Sequence, residues 1–389
     1  MKYISFSIMA LLVLIISSCS NNGADGDSPP VVPTESTYTI NWYVAADSST
    51  RTGLIENYWN SRQHYFNYGN RDDREFQYWP QAHALDVLVD AYIRTGDSIF
   101  EQYIDVWYEG IYQKNGNTFL NDFYDDMQWN ALAMLRTYNI TGKEKFKTSV
   151  DTIWEEIKTG WTDVADGGIM WAKHTPHSKN AISNSPASIL ASRLYQLNEK
   201  QEYMDWAKKT YQWVRNKLVN KENGAVWDHI EVSEDGEEDI AKDWIFTYNQ
   251  GVFLGAALEL YSITGESGYL DDAIKSADYT LNNMINDDGV FKERGTGDGG
   301  LFKGIFIRYL TQLIFEEELP DTTRERYAQF LEHNAEVLWN KGTNKKQVIF
   351  DPSWQKKPGN DEEIDLTVHL SGAMIIEAAA LLERENILE

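Results

Sequence analysis

Asp125 and Asp126 stand side by side in Phe123-Tyr124-Asp125-Asp126-Met127-Gln128-Trp129-Asn130, directly after a loop over residues 116–122 and at the start of an apolar helical segment. Splitting a glycosidic bond takes two carboxyl groups, one to protonate the leaving oxygen and one to attack the anomeric carbon or to activate water. Neighbours in mid-helix diverge by about a quarter turn. At a helix start, one of the two can take non-helical dihedrals and point beside the other into a cavity, where the helix dipole favours negative charge. Two like charges so placed separate their pKa values, so that one carboxyl stays protonated as an acid and the other ionises as a nucleophile. The dipeptide alone does not discriminate, because Asp72-Asp73, Asp271-Asp272 and Asp287-Asp288 repeat it and Asp at a helix start also serves as a cap.

The other chemistry-bearing residues narrow the choice of partner. The chain has 14 Trp and 22 Tyr in 389 residues, and such rings pack on the C–H patches of sugars while Tyr and Trp add a hydrogen bond. A net charge of −25 with no visible basic cluster excludes nucleic acid and disfavours anionic polysaccharides. His174 and His177 have a metal-like interval but lack a third ligand pattern. Gly295-Thr296-Gly297-Asp298-Gly299-Gly300 lacks the preceding strand and the Lys-Ser/Thr ending of a phosphate loop, and reads as a flexible rim loop. No Gly-x-Ser-x-Gly or Cys-His pair supports a nucleophilic triad.

The elements that must position the carboxylates are helices of two kinds in alternation. Segments 82–92, 131–138, 189–197, 252–261, 301–315 and 368–382 are apolar on most of their circumference, so other helices must enclose them. The intervening segments are amphipathic, as where Ile99, Tyr103, Val106, Trp107 and Ile111 recur every three or four residues and leave Glu101, Asp105 and Glu109 outside. Thr95-Gly96-Asp97, Thr141-Gly142-Lys143 and Thr264-Gly265-Glu266 join the two kinds, with Gly where a helix C-terminus wants the left-handed conformation. Six inner and six outer helices predict an all-α (α/α)6 barrel. An open solenoid would need polar terminal repeats, and the last inner segment is as apolar as the central ones. Long loops enter the inner helices around Asp125, 167–184, 227–248 and 295–303, and these are the places to expect function.

Five words in order complete the pattern: Tyr124-Asp125-Asp126-Met127-Gln128-Trp129, Gly167-Gly168-Ile169-Met170-Trp171, Lys179-Asn180-Ala181-Ile182-Ser183-Asn184, Thr247-Tyr248-Asn249-Gln250-Gly251 and Phe302-Lys303-Gly304-Ile305-Phe306-Ile307-Arg308-Tyr309. Together they resemble glycoside hydrolase family 76, the endo-α-1,6-mannanases, across residues 45–385. The resemblance implies an (α/α)6 fold, a retaining mechanism acting on α-mannan, and no metal or other cofactor. It implies Asp125 as nucleophile and Asp126 as acid/base. Asn180, Asn184, Tyr248, Asn249 and Gln250 would bond sugar hydroxyls, and Trp129, Trp171 and Trp227 would offer stacking surfaces. Helix capping and core packing are the competing uses of those amides and rings. Lys303 and Arg308, inside an apolar inner segment, are expected in buried ion pairs. Ser185-Pro186 after Asn184 departs from the family, which often has Gly there, and so bears on loop shape.

At the N-terminus, Lys2 and the apolar run 8–16, too short to span a bilayer, read as a secretory signal over residues 1–18. Ile16-Ser17-Ser18-Cys19 resembles a lipoprotein cleavage site, which would lipidate Cys19, the only cysteine. Residues 19–40, rich in Asn, Gly, Asp, Pro and Ser, read as a tether, and 41–389 as one catalytic domain. The expectation is an exported protein held to the bacterial outer membrane by lipid alone. Three alternatives remain at this point: an unsaturated glucuronyl hydrolase or polysaccharide lyase of the same fold, a surface glycan-binding lipoprotein without turnover, and a helical scaffold for protein partners.

Overall fold

The computed structural model describes residues 39–292 and 295–388, so the signal segment and Cys19 lie outside the described residues. In chain order the helices are α1 (Trp42–Ser48, continued by a π-helix, Ser49–Glu56), α2 (Tyr78–Thr95), α3 (Ser98–Lys114), α4 (Tyr124–Thr141), α5 (Glu144–Thr159), α6 (Ala181–Asn198), α7 (Gln201–Lys217), α8 (Thr247–Thr264), α9 (Ser267–Asn283), α10 (Phe302–Ile314), α11 (Asp321–Asn340) and α12 (Leu366–Arg384). Their burial follows the two sequence patterns. Helix α8 hides every residue from 247 to 258 except Tyr248, whereas α5 buries the single stripe Phe146, Ser149, Val150, Ile153, Trp154 and Ile157.

Each even-numbered helix packs on the next, and α12 returns to pack on α2, which closes the inner ring of an (α/α)6 barrel. Outside it, α3, α5, α7 and α9 each lie on the preceding inner helix and α11 lies on α10 and α12. The sixth outer position belongs to α1 and its π continuation, which cover α12. Glu383 of α12 accepts the backbone N–H groups of Trp42 and Tyr43, at 3.4 and 3.3 Å, so the two chain ends complete the ring together. Helix α12 is long and apolar enough to cross a membrane, but it is buried inside the barrel, and enclosure explains its composition.

At one end of the barrel, tight turns reverse the chain. Gly96, Gly142 and Gly265 take the left-handed conformation with φ of 67°, 68° and 69°. Glu199 does the same at the fourth turn with φ of 56°, without the glycine that marks the others. The interior at this end is ionic. Arg136 pairs with Asp86 and Asp90, Arg308 with the same two carboxylates, Arg193 with Glu259, and Arg94 with Glu377 at 2.9 Å. All six inner helices supply a member, and four guanidiniums face four carboxylates. A cavity of about 290 Å³ beside them is lined by Asp90, Arg94, Arg136, Arg308, Met374 and Glu377, among others.

The opposite end carries the long connections, and a recurrent device fixes them. The fourth residue of three inner helices is an amide side chain that bonds a loop backbone in both directions. Gln81 takes the N–H of Phe66 and donates to its carbonyl at 2.9 and 2.8 Å, Asn184 does so with Ile169 at 2.7 and 3.0 Å, and Gln250 with Val226 at 3.2 and 2.9 Å. Each amide thus behaves as an extra peptide unit, and the buried backbone groups of the loops are satisfied. Ser185 and Pro186 lie within α6, so the departure from the family pattern falls in a helix and not in a loop.

Candidate functional site

Helix α4 starts at Tyr124, with Phe123 as the extended residue before it. Asp125 and Asp126 are therefore both helical, contrary to the expectation that one would leave the helix. The reason lies in another loop: the carbonyl of Trp171 accepts the N–H of Tyr124 at 2.9 Å and Asp122 accepts from Lys173, which holds the first turn in place. Both carboxyls still lie within electrostatic reach of a third, the carboxylate of Asp298, which raises each of them. Each keeps a solvent-facing surface while protein encloses its other sides, as on the floor of a cleft.

The electrostatics separate the two. Burial pushes the Asp125 carboxyl up to about 7, against the pull of first-turn N–H groups and of the Trp171 indole. Burial and the adjacent Asp125 push Asp126 well above the usual carboxylate range, with no hydrogen bond to pull it back. Asp125 thus ionises first, and Asp126 keeps its proton. The Asp125 Oδ1 atom is buried and has no hydrogen-bond partner among the described residues.

The loop before α6 delivers Trp171. Lys179, fully buried, donates from Nζ to Thr162 and to the carbonyls of Gly167 and Gly168 at 2.6 and 2.7 Å. Gly167 and Gly168 have φ of 125° and 87°, and a Cβ on them would meet the rings of Trp161 and Trp213 at 2.4 and 2.7 Å. Only glycine lets the chain pass there. Trp171 then packs on Phe123 with centroids 5.1 Å apart and turns its indole N–H toward Asp125.

Two further carboxylates complete the site, and the sequence did not single out either. Asp228, 5% exposed, accepts from Tyr248 Oη at 3.2 Å and Asn249 Nδ2 at 2.7 Å, with His229 Nδ1 at 2.9 Å. Asn180 lies across the strand pair from His229, and Ala181 donates to the carbonyl of Asp228. Tyr248 stacks on Phe302 with centroids 3.9 Å apart. Burial, Asp228 and Asp125 raise its phenol well above 10, so it remains a neutral donor between the two carboxylate groups. Asp298 accepts from Trp79 Nε1 at 2.8 Å and stands in a short 3-10 helix, Gly297–Gly300. Asp365 and Thr367 bond Gly297 at 2.7 and 2.6 Å, so the stretch read as a flexible rim loop is anchored.

The structure thus gathers Asp125, Asp126, Trp171, Tyr248, Asn249 and Asn180 at one mouth of the barrel. Asn184 and Gln250 do not join them, because both amides are fully buried and engaged by backbone. Trp129 is 4% exposed and packs on His83 in the core, so it offers no stacking surface. Trp227, half-buried, has the Lys242 ammonium 5.1 Å from its ring centroid. Arg308 forms its expected buried ion pairs. Lys303 donates to the Pro352 carbonyl and lies 4.4 Å over Trp354. No local signal marks Asp228 or Asp298, since each reaches the site only through the folding of a long loop.

Comparison with known proteins places this geometry among its kin. Residues 43–389 match the sequence profile of glycosyl hydrolase family 76. The α-1,6-mannanase of a Salegentibacter species superposes with a TM-score of 0.84 at 44% identity, covering 88% of this chain and 100% of that one. A variant described as inactive, with two consecutive aspartates replaced by alanine and α-1,6-mannotetraose bound, superposes with a TM-score of 0.85 at 43% identity and the same coverage. A putative mannan endo-1,6-α-mannosidase of Schizosaccharomyces pombe is 24% identical over 318 residues, 74% of this chain and 68% of the relative.

Proposed function

The chain belongs to glycosyl hydrolase family 76, and from that premise we propose that it hydrolyses α-1,6-mannosidic bonds within mannan by a retaining mechanism, with Asp125 as nucleophile and Asp126 as acid and base. What supports the assignment is the unlike surroundings of the two adjacent carboxyls: first-turn N–H groups and the Trp171 indole pull Asp125 down against burial, whereas burial and neighbouring carboxylates alone act on Asp126 and raise it. A consecutive pair of aspartates is also what the inactive Salegentibacter variant lacks. Of the other Asp-Asp pairs, Asp72-Asp73 lies in a loop before α2, Asp271-Asp272 within the outer helix α9, where Asp272 pairs with Arg215, and Asp287-Asp288 in the loop after α9.

In the first step the Asp125 carboxylate attacks the anomeric carbon while Asp126 gives its proton to the departing O6 of the next sugar, leaving a β-mannosyl ester. In the second, Asp126, now ionised, takes a proton from water as the water oxygen displaces Asp125 and restores the α configuration. The Tyr248 hydroxyl, held by Asp228, is placed to orient a sugar hydroxyl, and the fully buried Asn249 amide fixes the Asp228 carboxylate behind it. The charged groups that act on the pair are carboxylates, which favours a neutral glycan over a uronic acid polymer. Activity requires ionised Asp125 and protonated Asp126, so kcat/KM rises through the first ionisation and falls through the second.

Azide rescue tests the division of roles. Asp126→Ala is expected to lose mannan turnover, keep its first step on an activated aryl mannoside, and regain turnover with azide to give the α-mannosyl azide. Asp125→Ala stays inactive on every substrate. Rescue of Asp125→Ala to the β-azide would exchange the roles, and full mannanase activity in both variants would remove the pair from the mechanism. Export and a lipid anchor on Cys19 belong to the same reading, on the strength of the apolar run 8–16 and the Ser17-Ser18-Cys19 ending.

A further inference from the structure

Of the 14 tryptophans, Trp244 is the one whose side chain stands exposed, at 56%. An isolated exposed ring needs no explanation. Three features set this one apart. Its backbone is pinned on both sides: Trp244 donates to the Ala241 carbonyl at 3.1 Å and accepts from the Asp228 N–H at 3.0 Å. Its ring also stands edge-on to His229 at 5.4 Å, and His229 is fixed by the Asp228 carboxylate. The indole is therefore presented in a set orientation, with little conformational freedom left to lose on binding.

The second feature is continuity. Trp244 lies 6.2 Å from Phe246, Phe246 lies 5.4 Å from Phe302, and Phe302 stacks on Tyr248 at 3.9 Å. Tyr248 in turn bonds Asp228 and lies within the field of Asp125. An unbroken series of aromatic faces runs from the exposed indole to the nucleophile. The third feature is chemistry. The two residues before it in the chain, Lys242 and Asp243, are exposed and polar, and an apolar indole face on a polar stretch suits a sugar ring, whose C–H patch stacks while its hydroxyls find partners.

We propose that Trp244 is the floor of a distal sugar subsite, where a mannosyl ring beyond those flanking the cleaved bond stacks on the indole. The inference rests on the mannanase reading and adds to it a place where chain length is sensed. A chain long enough to reach Trp244 gains a contact that a short one cannot make, which favours attack within long chains. The stacked ring touches no reacting atom, so its contribution is to binding of the substrate and the transition state alike.

The test uses calorimetric titration in an Asp126→Asn background, with linear α-1,6-manno-oligosaccharides of increasing length. Affinity is expected to rise stepwise at the length that reaches the indole. Adding Trp244→Ala should abolish that step and weaken binding of the longer chains about tenfold, or about 1.4 kcal/mol, while Trp244→Phe keeps part of it. In the active enzyme, Trp244→Ala should lower kcat/KM on long mannan about tenfold more than on a short aryl mannoside, through KM and not kcat. Identical length profiles with and without Trp244 overturn the subsite and leave the mannanase reading standing. Absence of binding at every length in the parent overturns the substrate assignment, and this inference with it.

Discussion

The two ends of the barrel treat charge in opposite ways. At the end with the tight turns, Arg94, Arg136, Arg193 and Arg308 meet Asp86, Asp90, Glu259 and Glu377. Pairing counters burial within this cluster: the arginines beside Asp86 hold its carboxyl below the usual range against the effect of burial, and the aspartates raise Arg136, although burial still raises Glu377 beside Arg94. At the end with the long loops, Asp125, Asp126 and Asp298 face one another, and burial drives the first two upward. Along α4 alone, Asp125 and Arg136 are separated by eleven residues, roughly 16 Å of helix. Charges that hold the ring together are paired, and charges left for chemistry are not. The cavity of about 290 Å³ lies at the paired end, beside the ionic cluster.

Replacing Asp125 or Asp126 should affect activity most. Asp125→Asn or Asp126→Asn is expected to lower kcat/KM on mannan by on the order of 10⁴. The same change at Asp126 should raise stability by about 1 kcal/mol at neutral pH. The sign follows from the raised carboxyl, which stays protonated when folded but ionises near the usual value once unfolded. That penalty is absent below the unfolded pKa and grows as pH rises toward the folded one. Thermal melts of the two proteins should therefore coincide near pH 3 and separate above about pH 4. A loss of stability at pH 7 would break the contrast between the two ends.

The paired end should respond in reverse. Arg136→Met leaves Asp86 and Asp90 with Arg308 alone, and is expected to cost about 3 kcal/mol in denaturant unfolding with KM for mannan unchanged. A variant as stable as the parent would show that the ionic plug is not needed for stability. The smallest effect concerns Asp298. Its carboxylate raises the carboxyls of both Asp125 and Asp126, so Asp298→Asn should move both limbs of the pH profile to lower pH, by less than about one unit. An upward movement, or none, would remove Asp298 from the electrostatics of the site.

The parts of this arrangement that were legible in the sequence are those encoded locally. All-round apolar character marked the six inner helices, and glycine marked three of the four tight turns, while Glu199 hid the fourth. The sixth outer helix was obscure because α1 is short and its π continuation, Ser49–Glu56, has no 3.6-residue pattern to recognise. Asp125 and Asp126 were legible through the words around them. Asn184 and Gln250 stood in equally suggestive words, yet an amide's identity does not tell whether its partner is a sugar or a backbone. Only the fold decides, and here it chose Ile169 and Val226. Asp228 and Asp298 reach the site from loops whose course depends on distant contacts, such as that of Gly297 with Asp365.

Those same amide bonds bear on how the molecule moves. Loops of this length ordinarily open on their own, and their backbone hydrogens exchange with solvent faster than those of the helices they connect. Here the N–H groups of Phe66, Ile169 and Val226 are bound by side chains rooted in α2, α6 and α8. They can be released only when an inner helix shifts, so their deuterium uptake should follow the slow opening of the barrel, as if these loop residues were part of the helical ring.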